Sequence, residues 1–180
     1  MTMTATVHDF RHQRSWSPAE FEAMVGSAAA TLLATVHEPR GARVAGLSRN
    51  GIELLALMLA CFRIGAVFVP LNWRLNRREL ALVLADCQAS LVFVQEEFRP
   101  LVADAVLPCP SLDSGFAATP LAAGPAAADS QLAMLLYTSG TTGRSKGVML
   151  TLGNLRAASE NFRCVADVRA ESGLLCDAPM

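Results

Sequence analysis

The sequence predicts an α/β fold in which a mostly parallel sheet is flanked by helices. Short apolar segments at 43–48, 67–69 and 91–94 alternate with segments whose apolar residues recur at helical spacing, and Pro70 is expected to close the second strand. Strands that alternate with helices of this length usually pair in parallel, with right-handed crossovers. The composition agrees, because 52% of the 180 residues are hydrophobic, which suits a domain with a sizeable core.

Three helix starts share one pattern, in which Ser or Asn precedes Glu by three residues, at 17–20, 50–53 and 76–79. The first side chain of such a pair caps the helix by accepting a backbone N–H, and the glutamate reaches back to the cap. The first helix is expected to run to about Ala34. The second is expected to end at Gly65, since glycine readily adopts the left-handed conformation that follows a helix.

The chain is expected to divide into a first βα block at 15–98, a connector at 99–130 and a further block at 131–180. The connector is rich in Pro and Ala, and one short strand is expected in it near Leu107. The last block is expected to contain a strand, a helix from about residue 151 and a final strand at 173–177. No internal repeat is evident.

The composition excludes several classes of function. The formal net charge is −1 and no basic stripe is present, so a nucleic-acid partner is not expected. Five cysteines, an odd number without a Cys-x-x-Cys pair, argue against a disulfide framework or a zinc site and favour a reducing, cytoplasmic setting. No signal peptide is recognisable. The most apolar segment, Leu54–Phe62, is too short to span a bilayer.

The most informative segment is Tyr137-Thr-Ser-Gly-Thr-Thr-Gly-Arg-Ser-Lys-Gly147, which contains the only lysine of the chain, Lys146. An ammonium group is a compact charge with rotatable donors that suit a phosphate oxygen. Glycines let backbone amides approach an anion closely, and hydroxyl groups add further donors. We therefore interpret the segment as a polyphosphate-binding loop. Its candidate ligand-binding residues are Thr138, Ser139, Gly140, Thr141, Thr142, Gly143 and Lys146.

The flanks of this loop support the interpretation over a simple solvated turn. The apolar run 132–137 before the loop is expected to be a buried strand, and an apolar run at 147–150 follows it. A loop between packed elements of this kind is a usual place for an anion site. A Walker A loop is not supported, because that motif requires Gly-Lys-Ser/Thr, whereas Ser145 and Gly147 flank the lysine here.

The segment from Tyr137 to Val148 closely resembles the signature of the acyl-adenylate-forming superfamily, approximately Y-T-S-G-T-T-G-x-P-K-G-V. The departure is Ser145, where proline is commonest and would stiffen the loop. The resemblance extends upstream over segments 43–72 and 75–94, which look like the N-terminal core of that family. Within the family, the Val-Pro-Leu-Asn sequence and this loop look more like CoA ligases of fatty or aryl acids than like adenylation domains of peptide synthetases.

The resemblance implies the N-terminal portion of an ATP-dependent acid–CoA ligase, with ATP, Mg²⁺ and CoA as cofactors and a small carboxylic acid as substrate. The family's acyl pocket, magnesium ligand and catalytic lysine belong to later motifs that this chain does not contain. No catalytic residue and no metal ligand is therefore assigned here, and the 180 residues alone are expected to be inactive. Two alternatives stay open, namely a truncated, non-enzymatic fragment and one half of a split enzyme whose remainder is a separate chain.

Overall fold

The computed structural model describes residues 6–10, 12–122, 127–138, 145–169 and 172–173. The strands are β1 (Val7–Asp9), β2 (Arg14–Trp16), β3 (Arg43–Leu47), β4 (Val67–Leu71), β5 (Leu91–Val94), β6 (Leu132–Thr138) and β7 (Lys146–Thr151). The helices are α1 (Pro18–Thr35), α2 (Ile52–Ile64), α3 (Arg77–Cys87) and α4 (Leu152–Val165), and a 3-10 helix spans Glu96–Val102.

Among the described residues, five strands form the central sheet in the order β5-β3-β4-β6-β7. The first four are parallel, and β7 runs antiparallel to β6 as the second strand of a hairpin. The predicted α/β class with a mostly parallel sheet is therefore confirmed. β1 and β2 form a separate antiparallel pair, which the weakly patterned N-terminal sequence did not indicate.

The two faces of the sheet carry separate apolar layers because side chains alternate along each strand. Val44, Phe68 and Phe93 lie on one face and pack with α1 and α2. Ala45 and Val69 lie on the other face and pack with α3 and the 3-10 helix. Helices thus cover both faces of β3, β4 and β5, as expected for parallel strands buried on two sides.

Two of the three predicted helix starts are confirmed by complete capping boxes, at α1 and at α3. The prediction for α2 was wrong by one residue. Gly51, in an extended conformation, is its N-cap and has no side chain with which to cap the helix. Gly65 ends α2 with φ 80°, in the left-handed region, as expected. Thr151 caps α4 with a further capping box.

The strand predictions need three corrections. Pro70 lies inside β4 rather than after it, because the pairing of β4 with β3 continues to Leu71. No strand forms at Leu107 within the described part of the connector, but Ser111 makes an isolated parallel bridge to Val94 at the sheet's edge. β6 is not buried, since Ala133 is its only buried residue. The final predicted strand, 173–177, lies outside the described residues except for its first position.

No helix among the described residues has both the length and the hydrophobicity needed to cross a bilayer. The division into blocks at 15–98, 99–130 and 131–180 stays a prediction. Connector residues nevertheless pack closely against the first block. Leu112 is buried in the layer that contains α1 and α2.

Candidate functional site

The base of the predicted phosphate loop is the open end of the β6–β7 hairpin. Thr138 is the last residue of β6, Lys146 is the first residue of β7, and the two are directly paired. Both side chains are exposed. The structure therefore brings these two predicted site residues together. The other five, Ser139, Gly140, Thr141, Thr142 and Gly143, lie outside the described residues.

The loop leaves β6 at the carboxyl edge of the parallel strands. β6 pairs with β4 in parallel through Phe68 and Met134, so the ends of these two strands lie at the same edge. β4 is followed there by the exposed Asn72, and β3 is followed at the same edge by Ser48. Ligands of open α/β sheets usually bind outside the carboxyl ends of the strands. The location of the hairpin thus agrees with that of a binding loop.

Tyr137 anchors the hairpin to the helical layer immediately before the loop. Its hydroxyl donates a 2.5 Å hydrogen bond to Oδ2 of Asp86, in the last turn of α3. Burial raises the pKa of the Tyr137 phenol, and the hydrogen bond to the Asp86 carboxylate raises it further. The phenol therefore stays protonated, and it remains a donor, throughout the neutral pH range.

Gly147 lies opposite Tyr137 in the hairpin and provides room for the aromatic ring. A Cβ atom at Gly147 would lie 3.2 Å from Cζ and 3.3 Å from the hydroxyl oxygen of Tyr137. Such distances are shorter than ordinary van der Waals contacts, so glycine is needed here for close approach rather than for backbone conformation. One residue beyond this pair, the strands reach Thr138 and Lys146.

A cluster of aromatic and guanidinium groups occupies the same carboxyl edge. The Arg49 guanidinium lies 4.3 Å from the Trp73 ring centroid, and that of Arg74 lies 4.4 Å from it. Trp73 also stacks on Phe98 at 5.8 Å, and Arg49 forms an ion pair with Glu97 at 2.9 Å. The sequence analysis missed this cluster. The only available signal was that its arginines and tryptophan directly follow the ends of β3 and β4.

Hydrogen bonds from Gln95 fix the turn that carries Arg49. The Gln95 side-chain oxygen accepts from the Ser48 hydroxyl and from the Arg49 amide, both at 3.1 Å. The backbone N–H of Gln95 in turn donates to the carbonyl oxygen of Leu47 at 2.9 Å. The cluster is therefore attached to the sheet through the ends of β3 and β5.

The described residues do not form a metal site. None of the His, Cys, Asp and Glu side chains in the described ranges form a group of three or more that could hold a metal ion. His8, His12 and His37 are exposed. The described residues thus offer no ready-made cage for a metal ion, whereas a magnesium ion that binds together with phosphates needs only one or two carboxylates from the protein.

Comparison with known proteins gives one family and a consistent set of relatives. The family model described as AMP-binding enzyme matches residues 2–180. The indoleacetate–CoA ligase of Aromatoleum aromaticum is 33% identical over 93% of this chain and 36% of its own length. A feruloyl-CoA synthase of an Amycolatopsis species is 38% identical over 78% of this chain and 29% of its own length. The chain thus spans about a third of the length of these relatives.

Solved structures show the same fold. The O-succinylbenzoate–CoA synthetase of Bacillus subtilis, in complex with AMP, superposes with a TM-score of 0.82 at 27% identity, over 92% of this chain and 44% of that one. ATP-bound MatB of Rhodopseudomonas palustris gives a TM-score of 0.77 at 30% identity, over 89% of this chain and 34% of that one. Both neighbours were solved with an adenine nucleotide.

Proposed function

Because this chain belongs to the AMP-binding enzyme family, we propose that it carries the phosphate-binding loop of an acid–CoA ligase. Such an enzyme joins a carboxylic acid to AMP at the expense of ATP and then transfers the acyl group to the thiol of CoA. The observation that carries the proposal is the pairing of Lys146 with Thr138 at the carboxyl end of β6. The only lysine of the chain thereby stands beside a segment rich in hydroxyl groups and glycines.

The loop would act mainly in the first step. A carboxylate oxygen of the substrate attacks the α-phosphorus of ATP, the bond from that phosphorus to the bridging oxygen breaks, and pyrophosphate leaves with the electron pair. Negative charge grows on the departing phosphate oxygens, so preformed donors stabilise the transition state. The Lys146 ammonium and the Thr138 hydroxyl are such donors. Loss of one donor of this kind raises a reaction barrier by about 2.7–4 kcal/mol in other enzymes.

The second step needs groups beyond those described here. The sulfur of CoA attacks the acyl carbonyl carbon, the thiol proton is lost, and AMP leaves. Magnesium bound to ATP would shield the phosphate charge. We assign no magnesium ligand and no catalytic residue of this second step to the chain, and we expect the 180 residues alone to form no acyl-CoA.

The names of the relatives support a proposal for the substrate class. Their names describe ligases of indoleacetate, ferulate and long-chain fatty acids. We propose a carboxylic acid with an aryl or alkyl body, acting with ATP and CoA in the cytoplasm. The two alternatives, a non-enzymatic fragment and one half of a split enzyme, share the same loop, and they differ only in whether a second chain restores acyl-CoA formation.

Replacement of the lysine tests the proposal directly. Lys146→Ala should weaken binding of tripolyphosphate and of ATP at least about tenfold by titration calorimetry, because a charge-assisted hydrogen bond is lost. Arg78→Ala is the matched control, since it removes an exposed cation from the first turn of α3, at the opposite end of that helix from Asp86 and Tyr137. Unchanged affinities in a folded Lys146→Ala protein would overturn the assignment of the loop.

A further inference from the structure

The hydrogen bond between Tyr137 and Asp86 joins two parts of the fold that are distant in sequence. Asp86 is 51 residues before Tyr137, and it lies at the end of α3 rather than in the sheet. Asp86 is exposed, and its Oδ2 atom accepts the hydrogen bond from the phenol. A phenol that donates to a carboxylate forms a charge-assisted bond, which is shorter and stronger than a neutral one. The 2.5 Å separation agrees with such a bond.

The tyrosine ring links both strands of the hairpin. Tyr137 belongs to β6, and Gly147, its direct partner in β7, lies against the ring because it has no side chain. A fixed ring therefore restricts both strands at once, one residue before Thr138 and Lys146. The hairpin has little other restraint from side-chain burial, since the residues from Lys146 to Met149 in β7 are all exposed.

Other groups near the phenol do not replace Asp86. Arg43 of β3 and Cys87 of α3 are the remaining titratable groups that act on Tyr137. Arg43 donates to the side-chain oxygen of Gln88 at 3.1 Å, and the Cys87 thiol donates to the carbonyl of Leu84. Among the described residues, Asp86 is thus the carboxylate that holds the phenol.

We propose that Asp86 is a positioning residue for the phosphate loop: by holding the Tyr137 hydroxyl, it fixes the strand ends that carry Thr138 and Lys146. The inference rests on the proposed function of that loop. Donors stabilise a developing charge well only when they are held in place beforehand, and a shift of about 1 Å is enough to weaken such a site. Asp86 itself touches no phosphate in this proposal.

The first experiment measures position without any ligand. Tyr137 is the only tyrosine of the chain, so selective ¹³C labelling of tyrosine gives a single Cζ resonance in the NMR spectrum. Asp86→Ala should shift this resonance, lower the pH at which the phenol begins to ionise, and move the amide signals of Thr138 and Lys146. The control is Asp104→Ala, which removes the ion pair of Asp104 with Arg77 at the opposite end of α3.

The second experiment measures tripolyphosphate affinity of the same proteins by calorimetry. We expect about tenfold weaker binding for Asp86→Ala and for Tyr137→Phe, and no further loss in the double variant. Asp86→Asn keeps an acceptor for the phenol and should recover part of the affinity. Asp104→Ala should bind like the wild type.

The outcomes separate this inference from the proposed function. Tripolyphosphate binding that is strong in the wild type and equal in Asp86→Ala overturns the positioning role but leaves the loop assignment intact. Unchanged amide signals of Thr138 and Lys146 in Asp86→Ala overturn it as well. If the wild-type chain binds no tripolyphosphate while Asp86→Ala still moves these amide signals, the proposed function fails. The finding that Asp86 positions the strand ends at Thr138 and Lys146 would then remain.

Discussion

The backbone of Leu121 occupies the space next to Gly26 that a side chain would otherwise fill. The Leu121 amide donates to the Gly26 carbonyl oxygen at 3.1 Å, and a Cβ atom at Gly26 would lie only 2.7 Å from the Leu121 carbonyl oxygen. Gly26 lies in the middle of α1, where glycine is unfavourable for helix stability. The glycine is therefore explained by the connector that packs against it and not by the helix itself.

Gly26→Ala should destabilise the protein although it improves the helix propensity of α1. Alanine gains about 1 kcal/mol of propensity, but overpacking against a backbone typically costs about 1–3 kcal/mol. We expect a net loss of about 1 kcal/mol in the free energy of unfolding, measured by urea denaturation. Gly173→Ala is the control, because no atom of the described residues other than its chain neighbours lies within 4 Å of its added Cβ. A Gly26→Ala protein more stable than the wild type would contradict the packing described here.

Local signals in the sequence predicted most of the parallel sheet and its helices. Strand and helix patterns depend on near neighbours, and the capping boxes at Ser17 and Asn76 form as expected because each involves residues three positions apart. The loop motif likewise indicated the AMP-binding enzyme family, which the family match confirms. The strand before the loop was also predicted, whereas 147–150 was described only as an apolar run, so the β6–β7 hairpin and its pairing of Thr138 with Lys146 are findings of the structure.

Features that depend on long-range packing were not predictable. The apolar run of β6 was expected to be buried, but the helices do not cover most of this strand. Only Ala133 is buried there, and Leu136 is 39% exposed. The bond between Asp86 and Tyr137, and the stacking of Arg49 on Trp73, join residues from separate elements. No periodicity or spacing encodes such pairs, because they form only when the sheet order is known.

Gly147→Ala should weaken polyphosphate binding through the tyrosine ring. The added Cβ would press on Cζ and the hydroxyl oxygen of Tyr137, so the ring must move away from Asp86 or the hairpin must open. We expect an affinity for tripolyphosphate about three to ten times lower, measured by calorimetry. Gly51→Ala serves as control, since its added Cβ would meet its nearest atom at an ordinary 3.5 Å. Equal affinities of the two variants would argue against the close contact.

Glu96 should contribute to the pH dependence of stability in the acid range. Hydrogen bonds from Arg99 first, and from Ser111, lower the pKa of Glu96 to about 2 from the ordinary value of 4.5. A carboxyl group with a lowered pKa stabilises the folded state above its unfolded pKa, and this contribution is lost as the pH falls through the folded pKa. The stability difference between the wild type and Glu96→Gln should therefore shrink between about pH 4.5 and pH 2.

Urea midpoints at a series of pH values measure this effect. Glu38→Gln, at an exposed glutamate in the turn after α1, is the matched control. Parallel stability curves for the wild type and Glu96→Gln over the whole acid range would show that the pair of Glu96 with Arg99 adds nothing to folding.

The reactivity of the cysteines should follow their burial. Cys61 and Cys87 are buried, and burial raises the pKa of both thiols, whereas Cys164 on α4 is exposed. Because the thiolate is the reactive species, Cys164 should react first with iodoacetamide at pH 7.5, and the two buried thiols should react only on unfolding. Cys109, which is half-buried, should be intermediate.

Peptide mass spectrometry of timed samples distinguishes the sites, in a Cys176→Ser background because Cys176 lies outside the described residues. Labelling in urea provides the reference in which all four remaining thiols react at similar rates. Modification of Cys61 as fast as that of Cys164 in native buffer would mean that the layer between α2 and the sheet opens readily. The buried thiols would then report on local unfolding of that layer rather than on a packed core.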